Sequence, residues 1–345
     1  MIHKLFHYGI RGIPLKLIKN YLSNRSQIVS VNGKKSTSDY ITCGVPQGSI
    51  LGPLLFLLYI NDLPDYSGFD IRLFADDACL VYSEGSAAQL QNKTNRELIN
   101  VDNWMIRNKL TINYSKSNYI IFTNKKTKFK FKILMNNNLL EQVKQTKYLG
   151  IIINEKLKWN SHVDHIVSKI SRGCYILSKI RHYVDQTTLK MIYYSLIHSH
   201  LSYCISTWGG APNSTLNPII KLQKRAVRII TNSAYDSHTK PLLTNLKILN
   251  ISNLYNFNLA IAFHKQLHNN TIGSNNLIHL NTIHDHHTRL SNTYNFYQQF
   301  NRTNTAQHTY TSQGIKFWRK IPTELKVLPL VSFKIKLKKY IFDIS

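Results

Sequence analysis

Three regimes of apolar and polar patterning follow one another along the chain. In the first, short apolar runs are broken by Gly, Pro, Asn and Ser. Residues 1–11 read as the end of a helix running into Gly9 and Gly12, and Pro14 suits the first turn of a helix continuing through Leu22. Gln27–Val31 and Tyr40–Thr42 predict a hairpin around Asn32-Gly33. Ile50–Tyr59 is apolar on every side and predicts a buried helix, ended at Asn61-Asp62-Leu63-Pro64 because proline cannot continue it. Two β-type runs, Asp70–Leu73 and Ala78–Tyr82, flank Phe74-Ala75-Asp76-Asp77. Ser86–Lys109 has helical spacing through Leu90, Leu98, Val101 and Met105, with Trp104 as a core residue. Leu110–Asn113 and Tyr119–Thr123 read as strands. Lys125, Lys126, Lys128, Lys130 and Lys132 alternate with Phe129, Phe131 and Ile133 as one exposed strand face, and Lys147–Ile153 reads as a single strand.

From Asn160 the period lengthens. Val163, Ile166, Val167, Ile170, Cys174 and Leu177 form one helical stripe, with Lys169, Arg172, Lys179 and Arg181 off it. Leu189, Ile192, Tyr193, Leu196, Ile197 and Leu201 form the next. A third helix over about Leu216–Ile230 carries Lys221, Lys224, Arg225 and Arg228, and Leu246–Leu267 reads as a further helix pair. Residues 269–312 are rich in Asn, Thr, His and Ser and read as loops. His284, His286 and His287 there lack a Cys or carboxylate cluster to complete a metal site.

Charge changes this picture more than apolar content does. The 345 residues carry 44 Lys and Arg against 17 Asp and Glu, a formal net charge of +27. After Asp185 only Asp236, Asp285, Glu324 and Asp343 are acidic. Such a balance suits a nucleic-acid partner, whose phosphates exchange counterions for Lys and Arg. A membrane surface is the competing partner, but the longest apolar run, Ile50–Ile60, is too short to span a bilayer. No signal-peptide pattern opens the chain, so an intracellular protein of nucleus or cytoplasm is expected. Cys43, Cys79, Cys174 and Cys204 are scattered, which fits a reducing compartment and no zinc site.

Against that charge, Asp76 and Asp77 are conspicuous. Adjacent carboxylates repel, and burial raises the cost unless a cation neutralises them. Hard divalent cations take oxygen ligands and bridge carboxylates to phosphates, and two such ions can stabilise both oxygens of a phosphoryl transfer. A solvated Asp-Asp turn is the alternative on these two residues alone.

Gly44-Val45-Pro46-Gln47-Gly48-Ser49 lies upstream, a loop leading into the apolar Leu51-Gly52-Pro53-Leu54-Leu55-Phe56 segment. Together, this PQGS loop, the LGPLLFLLYINDLP run and the LFADD stretch resemble, in order and spacing, the palm motifs of reverse transcriptases of non-LTR (LINE-type) retrotransposons. The resemblance implies an α+β fold: a partial polymerase palm, an antiparallel sheet with helices, over residues 1–155; an α-helical thumb over 156–268; and a basic C-terminal extension over 269–345. It implies RNA-directed DNA polymerase chemistry with Mg²⁺ or Mn²⁺, an RNA template, a DNA primer and deoxynucleoside triphosphates. Asp76 becomes the main metal ligand, with Asp77 a second ligand or supporting charge. Phe74 and Ala75 pack near the primer terminus. Pro46, Gln47 and Gly48 meet nucleotide and template, Lys116 protonates the pyrophosphate leaving group, and Tyr148, Leu149 and Gly150 lie in a primer-grip-like strand. For Pro46 and Gly48 a merely structural turn stays open, as does a solvated turn lysine for Lys116.

The resembled enzymes use three carboxylates, the first upstream of the PQG loop. Residues 1–38 hold no Asp or Glu, and Asp39 sits in a polar hairpin, where a solvated side chain is expected. The first catalytic Asp, the fingers and the rest of the polyprotein are therefore expected before Met1, and this chain alone is expected to be inactive. The rival expectation is a non-catalytic, nucleic-acid-binding retrotransposon remnant.

Overall fold

Asn32 and Gly33 adopt φ of +50° and +79°, the left-handed pair that a tight two-residue hairpin turn demands. They close Ser30–Val31 on Lys34–Lys35, and farther out Ser26–Gln27 pairs with Asp39–Tyr40. Asp39 is exposed and its carboxylate accepts from the Tyr40 amide. This is a computed structural model, which describes all residues except 47, 124, 126–129, 270–293 and 345. The chain divides into two units, Met1–Val143 and Lys144–Ser345. The fold is mixed, mostly helical, with short two-stranded sheets among the described residues.

The first unit is built around the amphipathic helix Ala87–Arg107. Leu98, Val101 and Trp104 of that helix pack against Ile60, Leu63, Phe69, Ile71, Ile133, Met135 and Leu140. Trp104 is core, as its spacing predicts. Helix Leu51–Ile60 corrects the expectation of a buried helix: Gly52, Leu55 and Ile60 are buried, while Leu51, Leu54 and Leu57 face outward. Only one side of it meets the core of its unit. Asp62, beyond the helix end, is more than a turn residue. It takes a 2.7 Å ion pair from Lys4, whose ammonium also donates to the Tyr59 carbonyl and lies 4.6 Å from the Tyr59 and Trp104 ring centroids.

The palm-type antiparallel sheet expected here is replaced by separate pairs. Five described pairs are antiparallel, and Asn118–Tyr119 pairs with Glu141–Gln142 in parallel. Leu110–Asn113 forms no strand, and the Tyr119–Thr123 run shrinks to Asn118–Tyr119, because neither has a partner along its length. Of the alternating lysine run, residues 126–129 lie outside the described residues, Lys130–Ile133 is not a strand, and pairing begins at Leu134–Met135.

In the second unit the helical stripes are realised. Helix Asn160–Ile180 buries Val163, Ile166, Ile170, Cys174 and Leu177 while Lys169, Arg172 and Lys179 stay exposed. It packs on helix Asn213–Ile230. The next stripe starts as helix Gln186–Tyr193, its first turn capped by Asp185 accepting from the Thr188 amide, and continues through a π-turn over Tyr194–His198. Buried Gln223 joins three segments: it donates to the Tyr193 hydroxyl and the Leu249 carbonyl and accepts from the Ile251 amide. Leu246–Leu267 is not a helix pair. A short helix, Thr239–Asn245, precedes one long helix, Ile251–Asn269. Helices Tyr310–Trp318 and Leu330–Asp343 complete the core. The polar stretch expected as loops lies largely outside the described residues, His284, His286 and His287 included, and is already helical by Tyr310. Among the described residues no helix is long and apolar enough to cross a membrane.

Candidate active site

Asp70–Phe74 and Asp77–Val81 pair antiparallel with Phe74 opposite Asp77, so Ala75 and Asp76 alone make the turn. Strand alternation turns Ile71 into the core and leaves Asp70, Arg72 and Phe74 exposed on the other face. Cross-strand partners share a face, so Asp77 stands beside Phe74, and Asp76 caps the tip. Ala75 holds φ of +52°, a left-handed conformation that costs a non-glycine residue about 1 kcal/mol. The strain sits directly before the two carboxylates.

Both carboxylates are exposed, and neither takes an ion pair or side-chain hydrogen bond among the described residues. In water-like surroundings their repulsion amounts to about 1 kcal/mol. That cost is small, and the oxygens are free to take a cation. Acceptor-only oxygens without a competing lysine are the donor set that a hard divalent cation takes. Among the described residues no third His, Cys, Asp or Glu joins them.

The PQG loop folds back onto the helix it precedes. The Ser49 hydroxyl donates to the Pro46 carbonyl at 2.9 Å and accepts from the Gly52 amide at 3.0 Å, serving as the cap of helix Leu51–Ile60. A Cβ on Gly52 would lie 2.9 Å from the Ser49 hydroxyl and 3.2 Å from the Pro46 carbonyl. Sequence reading missed this role of Ser49 and Gly52, although Ser three residues ahead of a helical Gly-Pro is a capping signal. Gly48 has φ of +76° and open space where a Cβ would stand, so its backbone is approachable. Gln47 lies outside the described residues. Gly52→Ala is expected to break the cap, cost about 1 kcal/mol of stability in urea unfolding, and open Val45–Ser49 to protease. Unchanged cleavage there would refute the fold-back.

Lys116 is exposed in a turn held by Asn113, whose carboxamide oxygen accepts from the Ser115 hydroxyl and the Lys116 amide. No hydrogen bond or ion pair among the described residues links Lys116 with the carboxylate hairpin or the PQG loop. The predicted strand over Lys147–Ile153 is instead a hairpin, Gln145–Tyr148 against Ile151–Asn154. Leu149 and Gly150 make its turn at φ of +45° and +79°. Tyr203 pins that turn: its hydroxyl donates to the Leu149 carbonyl at 2.7 Å, and a Cβ on Gly150 would lie 3.3 Å from its ring. The Tyr203 carbonyl in turn accepts from the Trp208 indole. No local signal in the sequence announces Tyr203.

A carboxylate hairpin preceded by a PQG loop on a capped apolar helix falls within residues 1–153, which match the family model for reverse transcriptase (RNA-dependent DNA polymerase). Residues 1–153 are thus similar to reverse transcriptases, and the chain as a whole is similar to the polymerases of non-LTR retrotransposons. It is 28% identical over 269 residues to the probable RNA-directed DNA polymerase from transposon X-element of Drosophila melanogaster, covering 75% of this chain and 29% of that protein. It is 28% identical over 244 residues to the RNA-directed DNA polymerase from mobile element jockey of the same species, covering 67% and 26%. The probable RNA-directed DNA polymerase from transposon BS is 29% identical over 250 residues, covering 68% and 27%. The chain thus spans just over a quarter of the length of these relatives.

Proposed function

We propose that this chain carries the PQG loop and the paired-carboxylate motif of an RNA-directed DNA polymerase, and that a further carboxylate is needed to make the site a catalyst. The observation that carries the proposal is the hairpin: two unpaired carboxylates presented at a strained turn, beside an exposed aromatic ring. Asp76 and Asp77 would hold Mg²⁺ or Mn²⁺. When bound, the cation would activate a primer 3′-hydroxyl and offset charge on the α-phosphate of a deoxynucleoside triphosphate. Phe74, on the face of Asp77, offers an apolar surface to the primer terminus. The open backbone at Gly48, with Pro46 and Gln47, approaches nucleotide and RNA template. Lys116 offers a proton to departing pyrophosphate. The helical second unit serves as thumb over 156–268, its exposed Lys169, Arg172 and Lys221 following the duplex backbone without reading sequence; residues 269–345 act as a basic extension.

The test uses the full chain on an RNA template with a DNA primer. Expected are salt-sensitive primer–template binding and no nucleotide incorporation by the chain alone. Iron(II) substituted for the metal is expected to cleave the backbone around Phe74–Ala78, and Asp77→Asn to abolish that cleavage. Incorporation that disappears in Asp76→Ala would overturn the need for a further carboxylate. Cleavage elsewhere, indifferent to Asp77→Asn, would remove the metal from this hairpin and favour a purely nucleic-acid-binding remnant.

A further inference from the structure

A cavity of about 320 Å³ lies in the second unit, among helices Asn213–Ile230, Thr239–Asn245, Ile251–Asn269 and Leu330–Asp343. That volume is at the lower end of the range for small-ligand sites. Its wall combines two chemistries. Leu243, Ile248 and the half-buried Phe342 supply an apolar part. Lys224 and Lys240 supply a cationic one, and neither has a carboxylate partner; all four ion pairs among the described residues lie in the first unit. Thr239, only 8% exposed, also lines the cavity, and its hydroxyl has no hydrogen-bond partner among the described residues. A hydroxyl open to the cavity and without a protein partner is a group that a ligand there would bond.

The scaffold around these three residues is fixed. Gln223 Oε1 accepts from the Ile251 amide, and Asn250 Oδ1 accepts from the Asn253 amide at 2.8 Å. Helix Ile251–Asn269 therefore begins at the cavity wall with its first turn held in place, and its positive end adds to the field of the lysines. Two ammonium groups and one hydroxyl donor favour an anion with several acceptor oxygens. An aromatic ring and two aliphatic side chains in the same lining favour a flat apolar body attached to that anion.

We propose that this cavity seats one phosphate-bearing nucleotide unit, its phosphate on Lys224, Lys240 and Thr239 and its base against Phe342. The unit comes from a single strand passing over the second unit or from a free mononucleotide. The assignment rests on the second unit alone and is tested without metal or deoxynucleoside triphosphates, so it stands or falls apart from the polymerase proposal.

The experiment measures binding of the full chain to a fluorescein-labelled single-stranded RNA by anisotropy, and to adenosine monophosphate by calorimetry. The Lys224→Gln/Lys240→Gln double variant is expected to weaken RNA binding about tenfold and to flatten the salt slope by about 0.7, the share of one phosphate. Thr239→Val changes no charge and is expected to weaken binding severalfold at unchanged salt slope, while Thr239→Ser keeps the hydroxyl and binds as the parent does. Loss of adenosine monophosphate binding with RNA affinity unchanged would identify the free nucleotide as the source. Thr239→Val indistinguishable from the parent toward both ligands would overturn the site, even where the lysine variant weakens RNA binding, since lysine loss alone is what a general basic surface gives.

Discussion

Gly314→Ala is expected to destabilise the second unit by about 3 kcal/mol, although it replaces glycine by the best helix former in the middle of a helix. Propensity alone would make the change stabilising by about 1 kcal/mol. Packing outweighs it. A Cβ on Gly314 would stand 2.2 Å and 2.5 Å from two ring carbons of Phe263, inside any permitted contact. Phe263 is fully buried and cannot swing clear. Its ring is boxed in by Phe296, Tyr310 and Trp318, with centroids 5.5, 5.3 and 6.1 Å away. Helix Tyr310–Trp318 must instead back away from helix Ile251–Asn269, disturbing an aromatic cluster that also includes Phe333. Overpacking of this kind costs roughly 1–3 kcal/mol and sometimes more, and the rigidity of the rings puts this site at the upper end. Urea unfolding checks the sign directly. Phe263→Leu is expected to be destabilising alone and to restore part of the loss when combined with Gly314→Ala, a coupling measurable in a double-mutant cycle. A more stable Gly314→Ala protein would mean that the two helices do not touch there.

The same glycine shows where sequence reading stops. Gly314 lies in a helix that the sequence reading did not delimit, and the ring opposite it comes from a helix about fifty residues earlier. Elements whose signal is local were legible: the stripe from Val163 to Leu177, the Asn32-Gly33 turn, and the two β-type runs that flank Phe74-Ala75-Asp76-Asp77. Elements settled by distant partners were not. Lys147–Ile153 reads as one apolar strand because Leu149 carries no turn signal; the reversal is held by Tyr203. Helix Leu51–Ile60 reads as buried from its composition, yet burial depends on what the rest of its unit covers, and Leu54 and Leu57 are left outside. In the candidate site the carboxylates were legible as chemistry, whereas the Ser49–Gly52 fold-back needed coordinates. The cavity at Thr239 was invisible, since four helices contribute to it and none carries a motif.

Acid is expected to destabilise the second unit from about pH 6.5 downward, where carboxylates are still ionised, through histidines. His162 is buried between Trp159 and Trp208, with its ring edge-on to both. Its Nδ1 accepts from the Ile152 amide, fixing strand Ile151–Asn154 to helix Asn160–Ile180, and its Nε2 has no partner among the described residues. Burial, with a smaller push from His165, lowers its pKa to about 4. In the unfolded chain the same ring takes up a proton near pH 6.5. Below that pH the unfolded chain gains protons that the folded ring refuses, so stability present above pH 6.5 drains away as pH falls towards 4. The loss reaches about 3 kcal/mol, at 1.36 kcal/mol per unit of difference. His198 and His264 are also lowered by burial and act in the same direction. Asp185, whose pKa is lowered by its cap bonds to Thr188, contributes only at more acidic pH. Protonation at Nδ1 would set a donor against the Ile152 N–H, so the hairpin carrying Leu149 and Gly150 is the element expected to loosen first. His162→Gln keeps an acceptor and does not titrate. It is expected to be less stable at neutral pH, through lost packing against the tryptophans, but to lose less between pH 6.5 and 4. Urea midpoints across that window compare the two slopes; parallel slopes for parent and variant would exclude His162 as the acid-sensitive group.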